Sequence, residues 1–175
     1  MTENKEKTTF ILTGGTIDGK YHPPSERKIT KKNSVVADYI EKIINPHFSA
    51  NFKQLIMIDS LEMTDVHRQK ILDEINKIKT DKIIITHGSS TMVETAQYLE
   101  EKIPDNSKTI ILVGAMVPLE GFYPTDAPFN LGYAIAQAQT RAAGVYICMN
   151  AHCFTPQEAV KNVETARFEF KDDRE

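Results

Sequence analysis

At 175 residues the chain has the size of one ordinary domain, large enough to bury roughly 70% of the surface that its unfolded form would expose. Hydrophobic residues make up 41% and charged residues 26% of the chain, a composition that argues against the disordered, fibrous and membrane classes. The formal net charge is -3, and acids and bases are mixed without a basic stripe. Nucleic acid is therefore not an expected partner.

The chain carries no recognisable targeting or membrane segment. Its start, MTENKEKTTF, lacks the apolar core of a secretory signal, and no apolar run approaches the roughly 18 residues of a membrane span. We therefore expect a cytoplasmic protein that does not bind membranes. The sequence has only two cysteines, Cys148 and Cys153, so no disulfide framework is expected. Together with His152 they match no common zinc spacing, so no metal is predicted.

Short apolar runs rich in β-branched residues alternate with segments of helical periodicity. The predicted strands lie at residues 8–13, 52–60, 82–86, 108–115 and 144–150. The predicted helices lie at residues 34–44, 64–78, 91–103 and 128–143. This order predicts a single α/β domain with a three-layer αβα architecture and a mostly parallel, flavodoxin-like sheet.

Two details of local structure are also expected. Thr91 and Glu94 have the T-x-x-E spacing of a capping box at the start of the third helix. The tail at residues 167–175 is charged and expected to be frayed.

In folds of this class the ligand site lies beyond the carboxyl ends of the strands. The first strand is followed by Gly14 and Gly15, which permit a tight turn whose amide groups can face a ligand, although an ordinary turn is the alternative. The spacing Gly14 to Lys20 also fits a phosphate loop. However, Tyr21 stands where that motif needs Ser or Thr, and Asp18 would repel phosphate. Nucleotide binding is therefore a distant alternative.

The third strand is followed by THGSSTM, in which Ser89 and Ser90 directly precede a helix. A helix N-terminus gathers unpaired N–H donors and positive dipole, so it can hold a carboxylate or an oxyanion. Taken alone, simple capping by Ser90 or Thr91 is the favoured interpretation. These residues by themselves leave both interpretations open.

Four motifs in order, TGGTI, THGSSTMVETA, ILVGAMVP and APFNLGYAIAQAQ, closely resemble the L-asparaginase family over residues 10–168. The resemblance implies hydrolysis of a side-chain amide to a carboxylate and ammonia, without a metal or an organic cofactor. Residues 1–175 would then be the family's N-terminal catalytic domain, with the C-terminal domain absent. Because that second domain helps to close a neighbouring subunit's site in full-length relatives, we expect a homo-oligomer, a dimer or tetramer.

The resemblance also implies residue roles. Thr16 stands at the position of the threonine nucleophile, next to Gly15 in the donor-rich turn. Ser60 matches the position that binds the substrate's α-carboxylate, and Ser89 matches the second catalytic threonine. Tyr21 is the nearest candidate for the tyrosine that orients the nucleophile, at a shorter spacing than is usual in the family.

The departures from the family pattern concern charge. Ser90 replaces the aspartate that binds the substrate's α-ammonium, a change that weakens amino-acid anchoring by roughly tenfold or more. Alignment on FNL places Arg141 at the family's lysine, and arginine can orient Ser89 but cannot serve as a base. The missing negative charge can come from any of four loop acids, Asp18, Asp59, Glu62 and Asp65.

We therefore expect a cytoplasmic amidohydrolase that acts on a small-molecule amide, asparagine or a relative, through a Thr16 acyl-enzyme. A substrate that lacks the α-amino group, or holds it in a peptide bond, suffers least from Ser90. The alternative is a catalytically weak or inactive module that keeps the fold and binds a small ligand.

Overall fold

A computed structural model of the chain describes residues 7–103 and 107–174. The first six residues, on which the targeting prediction partly depends, and Glu175 in the predicted tail lie outside the described residues. Within the described ranges, every helix is too short or too polar to cross a membrane.

A six-stranded sheet forms the centre of the fold. The strands of the described chain are β1 (Lys7–Gly14), β2 (Gly19–His22), β3 (Arg27–Thr30), β4 (Ser49–Ile58), β5 (Lys82–Thr86), β6 (Thr109–Val113), β7 (Gly144–Met149), β8 (His152–Phe154), β9 (Ala159–Asn162) and β10 (Arg167–Phe170). The central sheet has the order β4-β1-β5-β6-β7-β8, in which only β8 runs antiparallel to its neighbour. Its five parallel strands follow the 2-1-3-4-5 order of a flavodoxin-like sheet, as predicted. Two antiparallel hairpins, β2–β3 and β9–β10, lie outside it.

Helices cover both faces of the sheet. They are α1 (Val36–Asp38), continued by a π-helical segment (Tyr39–Ile44), α2 (Asp65–Lys77), α3 (Met92–Lys102) and α4 (Ala127–Thr140). The buried side chains of α2 and α3 form one apolar cluster, and those of α1 and α4 form another. In β5, Ile83 and Ile85 join the first cluster and Ile84 joins the second, as the strand period of two requires. The predicted three-layer αβα architecture is confirmed.

The prediction of a capping box at the start of α3 is wrong. The Thr91 side chain makes no capping hydrogen bond and instead donates to the Ser60 carbonyl at 2.8 Å, so Glu94 has no part in a box. A capping box does occur at the start of α2, where Thr64 pairs with His67. The loop after β4 competes for the Thr91 hydroxyl, which local sequence alone does not reveal.

The first part of the charged tail is not frayed, contrary to the prediction. Arg167–Phe170 pairs with β9 as the antiparallel strand β10. Phe168 is 2% exposed and belongs to the same apolar cluster as α2 and α3. Because residues two apart in a strand share a face, Phe168 and Phe170 both pack against this cluster and anchor the segment.

His87 anchors the loop that follows β5. Its ring is fully buried, with Nδ1 2.8 Å from the Gly88 carbonyl oxygen and Nε2 3.0 Å from the Thr95 hydroxyl. A carbonyl only accepts, so Nδ1 carries the proton and Nε2 accepts from Thr95, whose oxygen accepts from Arg68 at 3.1 Å. Burial is the main cause that lowers the pKa of His87 to about 4. The fold thus holds a neutral imidazole beneath this loop.

Replacement of Phe168 tests whether β10 belongs to the folded core. Phe168→Ala is expected to lower the free energy of unfolding by about 3–5 kcal/mol, because it leaves a cavity. Val163→Ala, in the turn between β9 and β10 and 82% exposed, is the matched control, with an expected change below about 0.5 kcal/mol. Urea unfolding followed by circular dichroism measures both. Equally small effects would contradict the burial of this strand.

The buried His87 gives the fold a pH dependence. The unfolded imidazole binds a proton below about pH 6.5, whereas the folded one does so only near pH 4. The unfolded state therefore binds more protons in this window, and the stability that His87 contributes above pH 6.5 is lost as the pH falls, by about 3 kcal/mol in total.

Urea unfolding of the wild type and His87→Gln, near pH 7 and near pH 4.5, measures this loss. Between the two conditions the wild type is expected to lose about 2 kcal/mol more than His87→Gln. Parallel pH dependence in the two proteins would show that the buried imidazole is not responsible.

Candidate active site

Three backbone segments meet beyond the carboxyl ends of β1, β4 and β5. Gly15 has a φ of +80°, and a Cβ added to it would lie 2.4 Å from the Gly88 backbone nitrogen. A Cβ on Gly88 would lie 2.5 Å from the Cβ and Oγ of Ser60. Neither position has room for a side chain. This close packing brings together the three hydroxyl residues of these segments, Thr16, Ser60 and Ser89.

Gly15 contributes space rather than a free donor. The sequence predicted that its amide would face a ligand, but its N–H donates to the Ile58 carbonyl at 2.9 Å. This hydrogen bond ties the turn after β1 to the end of β4. The missing side chain then allows the loop after β5 to approach.

Ser60 connects the loop after β4 to the start of α3. It is 3% exposed, and its Oγ accepts the Ser90 N–H at 3.2 Å. Within residues 7–103 and 107–174 no group accepts the hydrogen of this hydroxyl, which can donate as well as accept. The Ser90 side chain is exposed, so its backbone rather than its hydroxyl holds this contact.

The hydroxyl of Thr16 has a lysine partner that the sequence had not indicated. Thr16 is half-buried, and Nζ of Lys28 on β3 lies 3.1 Å from its Oγ1 and 3.1 Å from Oδ2 of Asp59. Asp59 also accepts the Leu61 N–H at 3.1 Å. Burial acts to raise the pKa of Asp59, but these two hydrogen bonds and the nearby lysine charges hold it below its ordinary value.

The hydroxyl of Ser89 has a second lysine partner. Ser89 is 6% exposed and accepts a hydrogen bond of 2.8 Å from Nζ of Lys161 on β9. Burial, followed by the charge of Lys28, lowers the pKa of Lys161, while the charge of Asp59 acts in the opposite direction. The hairpin β9–β10 thus places a lysine at the edge of the sheet where the carboxyl ends of β1 and β5 lie. Two hydroxyl and lysine pairs share one site.

The structure gives Lys161 the position that the sequence prediction gave to Arg141. Arg141 follows α4, where its Nε donates to Gln137 Oε1 at 2.9 Å and its guanidinium lies 5.3 Å from the centre of the Tyr146 ring. Spacing along the chain from α4 points to Arg141, but strand pairing in a hairpin decides which basic side chain reaches Ser89. The available signal was a lysine next to the apolar pair AV, in the segment after the last predicted strand.

Tyr21 lies at the rim of the site. It is 54% exposed and pairs directly with Lys28 across the hairpin β2–β3. Residues opposite each other in an antiparallel pair share a face, so Tyr21 lies on the face that carries Lys28 towards Thr16. Its predicted role in orienting the nucleophile stays a prediction.

Of the four acids considered as the missing negative charge, Asp59 is the one bonded to a site residue. Asp18 is fully buried, its carboxyl accepts a backbone N–H, and burial raises its pKa. Glu62 and Asp65 are exposed. Asp59 is therefore the acid linked to the Thr16 hydroxyl, through Lys28, and Lys28 already neutralises its charge.

The cysteine and histidine residues near the end of β7 do not converge. Cys148 and Cys153 are free buried thiols that pair across β7 and β8, whereas His152 packs its ring against Phe154 and Phe170. Neighbouring residues of a strand face opposite sides, which separates His152 from the thiols. Within residues 7–103 and 107–174, no three His, Cys, Asp or Glu side chains are grouped as metal ligands.

Comparisons with known proteins show which family this chain resembles. Residues 7–174 match the family model described as Asparaginase, N-terminal. L-asparaginase 2 of Escherichia coli K12 is 32% identical over 170 residues, which cover 93% of this chain and 48% of that protein. A probable periplasmic L-asparaginase of Haemophilus influenzae is 32% identical over 165 residues, which cover 90% and 47%. The chain spans about half the length of these curated relatives.

A solved structure extends the similarity to the fold. The probable cytoplasmic L-asparaginase of Campylobacter jejuni matches with a TM-score of 0.82 at 29% identity, over 96% of this chain and 54% of that chain. The family match includes the turn after β1, the loop after β5 and the hairpin that carries Lys161. The chain belongs to the asparaginase family and corresponds to that family's N-terminal domain.

Proposed function

We propose that this chain is an asparaginase-type amidohydrolase that converts a side-chain amide of a small molecule to a carboxylate and ammonia through a Thr16 acyl-enzyme. The observation that carries the proposal is the convergence of Thr16 and Ser89, each bonded to a lysine, beyond the ends of β1 and β5. A hydroxyl nucleophile needs a neighbouring base, and this arrangement provides one.

In the acylation step, Thr16 Oγ1 bonds to the amide carbonyl carbon. Its proton passes to Ser89, whose own proton passes to the unprotonated amine of Lys161. The lowered pKa of Lys161 supports this role, because it increases the unprotonated fraction near neutral pH. The C–N bond then breaks, Lys161 returns the proton to the leaving nitrogen, and ammonia departs.

In the deacylation step, water attacks the Thr16 ester and gives its proton to the same base. The bond between the acyl carbon and Oγ1 breaks, and Oγ1 takes the proton back. The net reaction consumes one amide and one water and yields one carboxylic acid and one ammonia. The site regains its starting protonation.

Charge in the site favours particular amides. We propose that the free hydroxyl hydrogen of Ser60 donates to a substrate carboxylate. Ser90 presents a neutral side chain where an α-ammonium needs a carboxylate, and Lys28 and Lys161 repel a cation. The preferred substrate is therefore an amide whose α-amino group is absent or acylated.

Three other expectations stay predictions: the cytoplasmic location, the homo-oligomeric state, and the single-domain organisation of residues 1–175. One relative is named a periplasmic protein and another a cytoplasmic protein, so the location of relatives does not decide the location of this chain.

Ammonia release from asparagine, glutamine and a panel of simple amides tests the proposed reaction. The wild type is expected to hydrolyse at least one amide, and Thr16→Val is expected to abolish that turnover. Lys161→Met removes the base and is expected to lower kcat by roughly 100-fold or more. Lys77→Met, on the exposed surface of α2, is the matched lysine control and should leave kcat unchanged. If no amide turns over while a ligand raises Tm, the binding module is the correct interpretation.

Replacement of Ser90 tests the argument about substrate charge. Ser90→Asp is expected to lower KM for asparagine by roughly tenfold, because it restores a charge-assisted hydrogen bond to the α-ammonium. Ser90→Asn, similar in size but neutral, is expected to bring no such gain. Amides without an α-ammonium are the control substrates and should not benefit from Ser90→Asp. Equal KM values for asparagine in the two variants would contradict the charge argument.

A further inference from the structure

We propose that Lys28 is a catalytic residue of this chain: its ammonium group, held by Asp59, binds the Thr16 hydroxyl oxygen and stabilises the negative charge that develops there during attack on a carbonyl carbon. This inference rests on the proposed function, because it takes Thr16 as the nucleophile. Lys28 lies in none of the motifs that indicated the site. It reaches Thr16 from the hairpin β2–β3, outside the central sheet.

Local structure guides the Lys28 side chain to Thr16. Its stem crosses Gly19, where an added Cβ would lie 2.9 Å from both Cγ and Cδ of Lys28 and 2.8 Å from the Thr16 carbonyl oxygen. The φ of Gly19 is -77°, which any residue can adopt, so the glycine is needed for space. A larger residue would compete with the lysine stem for this path.

The Lys28 ammonium bonds two oxygens at once. It donates to Asp59 Oδ2 at 3.1 Å and to Thr16 Oγ1 at 3.1 Å. The side chains of Lys28 and Asp59 are 29% and 36% exposed, and ion pairs with such exposure contribute little to stability. The position of this ion pair next to Thr16 Oγ1 is therefore better explained by a role in catalysis than by a contribution to stability.

The charge of Lys28 assists acylation in two ways. A hydrogen bond to Oγ1 strengthens as that oxygen gains negative charge, so it stabilises the transition state more than the ground state. In addition, the charge lowers the pKa of Lys161, next in importance to burial. The two lysines thus have distinct roles. Lys161 receives the proton through Ser89, and Lys28 stabilises the oxygen that loses it.

Acylation of Thr16 by p-nitrophenyl acetate tests this role without requiring amide turnover. In this step Oγ1 bonds to the acetyl carbon, p-nitrophenolate leaves with the electron pair, and the Thr16 proton passes through Ser89 to Lys161. Absorbance of p-nitrophenolate gives the rate, and peptide mass spectrometry locates the acetyl group.

Three variants isolate the charge of Lys28. Lys28→Met keeps the length of the stem without the charge, and Lys28→Arg keeps the charge. Lys20→Met, at an exposed position on the other face of the same hairpin, is the matched control. Tm is measured for each protein to establish that it is folded.

Lys28→Met is expected to lower the rate of Thr16 acetylation by roughly 10- to 100-fold, with a smaller loss in Lys28→Arg and none in Lys20→Met. The pH at which the rate is half-maximal is expected to rise in Lys28→Met, because loss of a positive charge raises the pKa of Lys161. Lys28→Arg is expected to keep the wild-type pH profile. A purely structural role for Lys28 would not move this profile.

If folded Lys28→Met keeps the wild-type acetylation rate and pH profile, the inference is overturned and the proposed function is left intact. Acetylation that depends on Lys28 in a protein that hydrolyses no amide supports the inference and overturns the proposed function. Absence of Thr16 acetylation in the wild type overturns both. Where Lys28→Met is unfolded, Lys28→Ala with added ethylammonium decides: recovery of the rate supports the inference, and no recovery overturns it.

Discussion

The close approach of backbone segments at Gly15 and Gly88 is the constraint on which the site depends. Neighbouring strands of a sheet lie about 4.8 Å apart, so their ends alone leave the following loops separated. A Cβ added to either glycine would fall within 2.5 Å of an atom of the next segment. Glycine at both positions therefore lets Thr16 and Ser89 share one site. A side chain at either would move Thr16, the proposed nucleophile, away from Ser89, the proposed proton relay.

The layers of the fold could be predicted from sequence because their signals are local. In Lys82–Thr86 the β-branched residues fill two clusters on opposite faces, and a short apolar run between helical segments indicates such a strand by itself. The strand Arg167–Phe170 could not be predicted in this way. Phe168 is buried and Phe170 packs against the same cluster, but both reach the core only because the strand pairs with β9.

The same distinction applies to the site. Thr16, Ser60 and Ser89 could be predicted as neighbours, because each follows a parallel strand and those strands end at one edge. The lysines could not, since Lys28 and Lys161 reach that edge from hairpins outside the central sheet. A lysine stem carries its amine several bonds away from the backbone, so position along the chain says little about where that amine acts.

Charge balance joins substrate binding to proton transfer. Asp59 is already paired with Lys28, so protonation of Lys161 leaves a positive charge without a bonded acid among the described residues. Two events relieve this charge: loss of the proton, which makes Lys161 a base, or arrival of an anion. In the proposed mechanism Lys161 is unprotonated before the attack, and a substrate carboxylate that binds nearby stabilises the ammonium that forms when Lys161 takes up the proton of Thr16. An anionic amide thus stabilises the charge that proton transfer creates on Lys161, whereas a substrate ammonium opposes it.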